Sequence, residues 1–78
     1  MIKFISNWVF VSRIWNDSIP SPAAINIQEI THIEEVIDTT RGQCVIISLK
    51  NGTVIPIEGD IIDVLAKFQE YLKTITNN

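Results

Sequence analysis

The chain contains one cysteine, Cys44, and one histidine, His32, among its 78 residues. A single cysteine excludes a disulfide within the chain and is typical of the reducing cytoplasm, where we expect this protein to be. One residue of each kind also argues against a zinc site built from this chain alone. A Cys–His pair for nucleophilic catalysis would need both residues. Cys44 opens an apolar strand, however, and is expected to be a small buried hydrophobic residue.

Glycine is also scarce, with three residues that stand singly at positions 42, 52 and 59. No glycine-rich loop that could cradle a phosphate group is therefore present. Glu34 and Glu35 are neighbours, which would place them on opposite faces of a strand and not together as an acid–base pair. We predict no catalytic residues, no metal and no cofactor, and hence that the protein is not an enzyme.

Charge is sparse, because 19% of residues are charged and the six lysines and arginines are scattered singly. With a net charge of −3, the chain lacks the basic face that binds nucleic acid or an anionic membrane. No apolar run approaches the roughly 20 residues that a membrane-spanning helix needs. Residues 1–13 superficially resemble a signal peptide, but Ser6, Asn7 and Arg13 interrupt the apolar run. We expect neither a nucleic acid nor a membrane as partner.

Apolar residues, in contrast, are abundant: 46% of the chain is hydrophobic, and its mean hydropathy is +0.24. A chain this short buries only about 60% of the surface that its unfolded state exposes. Residues 1–78 are therefore predicted to form one small domain with apolar surface left over. Large exposed apolar patches usually mark interfaces, and a two-fold homodimer is the simplest way to cover one.

The most distinct local pattern is a hairpin, with strands at 44–50 and 53–57 joined by Asn51-Gly52. Asn-Gly between two apolar runs indicates a two-residue turn, because both residues tolerate positive φ. Such a turn would pair Leu49 with Val54. One face would then carry Val45, Ile47, Leu49, Val54 and Pro56, and the other Cys44, Ile46, Ser48, Lys50, Thr53, Ile55 and Ile57. Both faces are largely apolar, so we expect a helix to cover one and a partner to cover the other.

Pro56 constrains how this hairpin joins the rest of the sheet. In the predicted register its nitrogen points away from the 44–50 strand, so the proline removes no hydrogen bond from the hairpin. It would, however, block pairing with a further strand at that position. The 53–57 strand is then either an edge of the sheet or is joined by its neighbour at a bulge, and the edge is the preferred interpretation.

A C-terminal amphipathic helix is predicted over residues 61–75. Asp60 is a good N-cap, and Asp63 adds a negative charge in the first turn, where the helix dipole favours it. Apolar residues follow with the i, i+3, i+4 and i+7 spacing of a one-sided stripe: Ile61, Val64, Leu65, Phe68, Tyr71 or Leu72, and Ile75. The stripe is expected to cover one face of the sheet.

The first half of the chain is less regular. Residues 8–15 have the aromatic and β-branched content of a strand, in which Trp8 is expected to fill the core and Trp15 to lie at an interface. Residues 16–22, with two prolines, predict a loop. Residues 24–38 fit either two strands, at 24–28 and about 31–37, or one helix. With two strands, the fold is α+β: a small antiparallel sheet of four to five strands with one C-terminal helix.

Three segments of the chain carry a further pattern: Ile25-Asn-Ile-Gln-Glu-Ile-Thr-His-Ile-Glu-Glu35, Val45-Ile-Ile-Ser-Leu-Lys-Asn-Gly-Thr-Val-Ile55 and Asp63-Val-Leu. Over about residues 25–68 they resemble the small flagellar FlbD-like family, whose members carry hydrophobic-N-x-x-x-I-x-x-I-E, V-I-x-L-x-N-G and a helix with E-x-V. The Trp-rich N-terminus and the Pro20–Pro22 loop replace the short N-terminal hairpin of that family. DNA-binding LytTR domains share a comparable I-x-x-I-x-x-I-E strand, but the acidic balance argues against their function. The resemblance implies a small non-enzymatic accessory protein.

The first functional hypothesis is a non-enzymatic interaction or assembly protein that acts as a homo-oligomer, most simply a dimer, and binds another protein. Its interface is predicted at Trp15, Ile46, Ile55 and Ile57, on the face that the helix leaves uncovered. Ile55→Glu or Ile57→Glu would then dissolve the oligomer.

The alternative hypothesis is a small-molecule-binding or ligand-sequestering module. Its pockets would lie between subunits and would be lined by Trp15, Arg13 or Arg41, which offer an aromatic ring for stacking and positive charge for an anionic ligand. A phage-type inhibitor of a host enzyme is compatible with either class.

Overall fold

The computed structural model describes residues 2–14, 20–40 and 42–76, which form six β-strands, one 3₁₀ turn and one α-helix. The strands are β1 (Lys3–Ile5), β2 (Trp8–Arg13), β3 (Ser21–Asn26), β4 (Ile30–Asp38), β5 (Gly42–Leu49) and β6 (Val54–Glu58). The 3₁₀ turn spans Ile27–Glu29, and α1 spans Ile61–Thr76. The α+β prediction is confirmed, with six strands because Lys3–Ile5 forms a short strand of its own.

The strands form one antiparallel sheet in the order β1, β2, β6, β5, β4, with β3 paired to β2. β3 pairs with β2 along its whole length. β1 and β6 therefore share the opposite edge of β2, where β1 pairs with its first half and β6 meets it at a single pair, Arg13–Ile57. The sheet thus consists of two three-stranded units, β1–β2–β3 and β4–β5–β6. We call the short junction of β2 with β6 the seam.

The sheet curls so that the two units enclose one core. Only the three residues of the 3₁₀ turn connect β3 to β4, although these strands lie at opposite ends of the strand order. A chain of four residues spans at most about 14 Å, whereas four strand spacings in a flat sheet take about 19 Å. The β1–β2–β3 unit must therefore fold over the other unit.

The interpretation of residues 24–38 as two strands is confirmed, and the helical alternative is wrong. Asn26 ends β3, and its Oδ1 accepts a hydrogen bond from the N–H of Gln28 at 3.0 Å, which starts the 3₁₀ turn. Isoleucine, valine and threonine are frequent in β4, and their β-branched side chains favour an extended chain. β3 begins at Ser21, inside the segment predicted as a loop, and includes Pro22.

The turn between β5 and β6 differs from the predicted two-residue turn. The N–H of Leu49 donates to the carbonyl of Thr53 at 2.9 Å, so these two residues are paired and the loop is 50–52. In this loop Gly52 alone has positive φ, at 90°. A two-residue type I′ turn needs positive φ at both central residues, whereas a three-residue loop needs it only at the last. The predicted pairing of Leu49 with Val54 is therefore wrong by one residue.

This one-residue difference decides which side chains of the hairpin share a face. Val45 pairs with Ile57, and Ile47 pairs with Ile55, and all four are buried. The other face carries Cys44, Ile46, Ser48, Val54, Pro56 and Glu58. The second face therefore loses Ile55 and Ile57, which the predicted register places there, and carries Ser48 and Glu58 among its apolar residues.

Pro56 is not at an edge of the sheet, contrary to the preferred interpretation. β6 lies between β5 and β2, and the N–H of Ile14 donates to the carbonyl of Pro56 at 2.9 Å. The expected direction of the proline nitrogen is confirmed, because the Leu49–Thr53 hydrogen bond and the alternation of an antiparallel ladder turn residue 56 away from β5. Pro56 thus accepts a hydrogen bond at the seam but has no N–H to donate there.

The core lies between the two strand units and α1. Its buried members come from four strands and the helix: Val9, Val11, Ile25, Val45, Ile47, Ile55, Ile57 and Val64. Ile61 and Phe68, which flank Val64 at the predicted helical spacing, pack against this cluster. We call the face of the sheet that holds the core the inner face, and the opposite face the outer face.

Two carboxylates cap the start of α1. Asp60 Oδ1 accepts the N–H of Ile62 at 2.6 Å, as the sequence predicts for an N-cap. Glu35, which lies 26 residues before Ile61, accepts the Ile61 N–H through Oε1 at 2.9 Å. Glu35 therefore ties β4 to the helix, a contact that depends on how α1 packs and that no local pattern indicates.

Candidate functional site

The residues predicted to form an interface do not lie together on one uncovered face. Ile55 and Ile57 expose 5% and 3% of their surface, because the register turns them into the core. Ile46 lies on the outer face and is partly buried. Trp15 lies outside the described residues. The prediction that Ile55 and Ile57 lie on an uncovered face is therefore wrong, because both side chains are packed on the inner face.

Of the two arginines predicted to contact a ligand, Arg13 alone is among the described residues. Arg41 lies outside the described residues. Arg13 is partly buried at the end of β2, between Ser21 of β3 and Ile57 of β6. The structure therefore places Arg13 at the seam, and it does not line the cleft described below.

Large apolar side chains lie together on the outer face of β1 and β2. Ile5 and Trp8 are cross-strand partners, and Phe10 follows two residues along β2 on the same face. They expose 53%, 46% and 38% of their surface. Ala24 of β3 extends the apolar surface opposite Phe10. We call Ile5, Trp8, Phe10 and Ala24 the aromatic patch.

Polar side chains border the aromatic patch on three sides. Lys3 is opposite Phe10 on β1, Asn26 is opposite Trp8 on β3, and Ser12 follows Phe10 along β2. Of these three neighbours Lys3 alone is charged. An apolar centre with a polar rim is the usual composition of a protein–protein interface.

The prediction that Trp8 fills the core is wrong. Val9 and Val11 occupy the inner positions of β2, and Val9 packs opposite Ile25, the residue of β3 that is most deeply buried. Because side chains alternate along a strand, burying Val9 turns Trp8 outwards. The pairing of Val9 with Ile25 is the signal that could have located Trp8, but it requires the register of β2 with β3.

A cleft of about 650 Å³ lies between the β1–β2 turn and the second half of α1. The Phe4 ring stacks on Tyr71 with centroids 4.8 Å apart and meets Phe68 edge-on at 5.2 Å. The Tyr71 hydroxyl donates to the carbonyl of Ser6. The cleft is lined by Ile2, Lys3, Phe4, Ser6, Asn7, Lys67, Glu70 and Tyr71. Its two lysines outnumber its one carboxylate, Glu70, and lie beside an aromatic wall, so the charge of the lining favours an anion over a cation.

Cys44 and His32 lie apart on neighbouring strands. Cys44 is buried opposite Val36, and His32 is opposite Ser48. Four strand residues at roughly 3.3 Å each separate the two positions, about 13 Å in all, which is too far for a nucleophile and its base. Within residues 2–14, 20–40 and 42–76, no group of three or more His, Cys, Asp or Glu side chains is placed to hold a metal ion. In the same part of the chain, no helix has the length and apolar character needed to cross a membrane.

No family of proteins, no curated protein and no solved structure matches this chain. The resemblance to the FlbD-like family therefore stays a prediction from the three motifs. Function has to be inferred from the surfaces of the molecule itself.

Proposed function

We propose that the chain is a non-enzymatic interaction protein that acts as a homo-oligomer and binds another protein through the aromatic patch. The observation that carries the proposal is the juxtaposition of Ile5, Trp8 and Phe10, all exposed, on the outer face of one hairpin. Exposed tryptophan beside other large apolar side chains is typical of the centre of an interface. The accessory role that the FlbD-like resemblance implies agrees with this function.

The patch has enough exposed surface to anchor a partner. Trp8 leaves 46% of its surface and Phe10 leaves 38% to be covered. An aromatic side chain buries roughly 150–250 Å² at roughly 25 cal/mol per Å². Covering the remaining surface therefore contributes on the order of 1.5 to 3 kcal/mol for each ring, which reaches the range of interface hot spots.

Charge at the rim indicates the chemistry of the partner. Lys3 lies on the same face as the patch, opposite Phe10. Complementary charge guides encounter and fixes orientation more than it adds affinity. The partner that fits best presents an apolar side chain to Trp8 and a carboxylate to Lys3.

Trp8→Ser is expected to abolish capture of this partner. The immobilised protein would be incubated with an extract of its source cells, and the bound proteins would be identified by mass spectrometry. Truncating a hot-spot tryptophan costs about 2 kcal/mol or more, roughly a 30-fold loss of affinity. Because Trp8 is on the surface, the far-ultraviolet circular dichroism spectrum, which reports on secondary structure, should stay that of the wild type.

Leu72→Ser is the matched control, because Leu72 is exposed to nearly the same extent, 49% against 46%, on α1 instead of the patch. It should capture the same proteins as the wild type. Equal capture by wild type and Trp8→Ser would contradict the proposal. If both variants lost capture equally, binding would reflect nonspecific contact with exposed apolar side chains and not a specific site.

Small-molecule binding is a second candidate function, which the cleft beside α1 supports. Its volume of about 650 Å³ lies within the range of roughly 300–1,000 Å³ that ligand pockets occupy. Lys3 and Lys67 offer charge, and Phe4 and Tyr71 offer an aromatic wall, so the ligand that fits is a small anion with a planar group.

Purified protein would be denatured, and small molecules released into the supernatant would be identified by mass spectrometry. The wild-type protein is expected to release such an anion. The Lys3→Ala, Lys67→Ala double variant should release none. Lys50→Ala, which removes a lysine from the β5–β6 turn, should release as much as the wild type. A wild-type protein that releases no small molecule would count against this second function.

A further inference from the structure

The outer edge of β4 has no neighbouring strand in the described part of the chain. β4 ends the strand order and pairs only with β5. It is nine residues long and contains no proline. A long edge strand without proline offers its free backbone groups to another strand.

The hydrogen bonds of the hairpin show which groups of β4 point outwards. Leu49 bonds to Thr53, the residue just before β6, so the even-numbered residues of β5 bond to β4. Their partners on β4 are the even-numbered residues from 32 to 36. The N–H and C=O groups of Ile33 and Glu35 therefore point away from β5, in the plane of the sheet and beyond its free edge.

We propose that two copies of this chain pair antiparallel along this edge, with the two-fold axis at Ile33. This inference rests on the homo-oligomer of the proposed function and identifies its interface. In a two-fold pairing each contact occurs twice, so the residue on the axis sets the whole register. With Ile33 on the axis, its outward N–H and C=O groups bond to those of Ile33 in the second copy. His32 then lies opposite Glu34 of the second copy, and Glu34 opposite His32.

Charge favours this register over its neighbours. If Glu34 or Glu35 were on the axis, its carboxylate would face the same carboxylate of the second copy. Like charges directly opposite each other destabilise a strand pair. With Ile33 on the axis, Glu34 faces a histidine, and Glu35 faces the neutral Thr31.

Two further registers are also less favourable. With Val36 on the axis, Glu34 would face Asp38, which again opposes two acids. With His32 on the axis, the pairing would be centred next to Thr31, where a bulge interrupts the ladder. A bulge twists an edge and ends regular pairing. The axis at Ile33 avoids opposed acids and centres the pairing two residues from Thr31, which then falls opposite Glu35 towards the end of the paired segment.

The side chains on the outer face of β4 are already arranged for such a pairing. His32 Nε2 lies 3.4 Å from Glu34 Oε1 of the same chain, and both side chains are more than half exposed. In the two-fold pairing two histidines and two glutamates would alternate around the axis. Because exposed ion pairs add little affinity, their role is to select the register and the partner.

Apolar side chains close to the same edge would supply affinity. Ile37 on β4 exposes 80% of its surface. Ile62 and Leu65, in the first turns of α1, are also exposed and lie near β4, because Glu35 binds the N–H of Ile61. A second copy at the β4 edge would bury part of these side chains, whereas a partner bound at the aromatic patch would leave them exposed.

Sedimentation equilibrium of three variants tests the register. The wild type is expected to form a dimer of twice the 8.8 kDa chain mass. His32→Glu places an acid opposite Glu34 on both sides of the axis and should weaken the dimer about tenfold or more. An equimolar mixture of His32→Glu with Glu34→Lys places a glutamate opposite a lysine at one pair and keeps the wild-type pair of histidine and glutamate at the other, so it should form a heterodimer that is tighter than either homodimer.

Thr53→Glu is the control, because it adds the same charge in the β5–β6 turn, and it should dimerise like the wild type. A wild-type dimer that His32→Glu leaves unchanged would overturn this interface while the homo-oligomer stands. A wild type that stays monomeric at high micromolar concentration would overturn both. If the wild type were monomeric and His32→Glu no longer captured the partner, the β4 edge would bind a strand of another protein. That result would overturn self-pairing.

Discussion

Ile55→Glu is expected to unfold the protein, whereas Val54→Glu, one residue earlier in β6, is expected to leave it folded. Ile55 lies in the core opposite Ile47 and exposes 5% of its surface, while Val54 lies on the outer face and exposes 52%. A carboxylate at position 55 would be buried among aliphatic side chains with no partner. Both substitutions introduce the same charge in the same strand, so their difference measures burial.

The loss expected at position 55 is comparable with the whole stability of a small domain. Removing a buried isoleucine costs roughly 2–5 kcal/mol, and an unpaired buried charge adds several kcal/mol. A domain has about 5–15 kcal/mol in total. Val54→Glu should change the free energy of unfolding by no more than about 0.5 kcal/mol, as is usual for surface positions.

Urea denaturation followed by circular dichroism distinguishes the two outcomes. Ile55→Glu should show no cooperative transition, and Val54→Glu should unfold near the wild-type midpoint. The opposite result, a folded Ile55→Glu that is merely monomeric, would restore the interpretation of Ile55 as an interface residue. It would also contradict the register of β5 with β6.

Removing both carboxylates that cap α1 is the second large effect, with an expected cost of about 2 kcal/mol. Asp60→Ala removes the acceptor of the Ile62 N–H, and Glu35→Ala removes the acceptor of the Ile61 N–H. Each lost cap typically costs about 1 kcal/mol. The two N–H groups belong to neighbouring residues of one turn, so the single costs are not expected to be strictly additive.

Urea midpoints of the two single variants and the double variant give the free energies. Asp63→Ala is the control, because it removes a negative charge from the same turn that acts through the helix dipole. It should cost only about 0.3–1 kcal/mol. A double variant that loses no more than Asp63→Ala would contradict the capping roles of Asp60 and Glu35.

Local patterns in the sequence predict the helix and both strands of the hairpin, because their determinants lie within a few residues. Asp60 defines where α1 begins, and the apolar spacing after it identifies Val64 and Phe68 as inward residues, although Leu65 of the same predicted stripe is exposed. Asn51-Gly52 correctly indicates a turn, but the pair fits both a two-residue loop and the end of a three-residue loop. Burial of Ile55 and Ile57 decides between the two loops, and burial depends on the other unit of the sheet.

The aromatic patch and the free edge of β4 could not be predicted in the same way. The outward direction of Trp8 follows from the pairing of β2 with β3, and the free edge of β4 follows from the strand order. The Glu35 contact to α1 joins residues far apart in the chain. Trp15 and Arg41 lie outside the described residues, so their roles stay predictions.

The seam between β2 and β6 determines the order in which the parts of one chain fold and unfold. It closes a loop from Ile14 to Pro56 that spans more than half of the chain, and such long loops lose the most entropy on closure. The two three-stranded units are built from nearer contacts and should form first. Away from the seam, Phe4 of the β1–β2–β3 unit packs against Phe68 and Tyr71 of α1, which is a second contact between this unit and the rest of the molecule. Pulling the chain ends apart is therefore expected to separate Phe4 from α1 before either three-stranded unit unfolds.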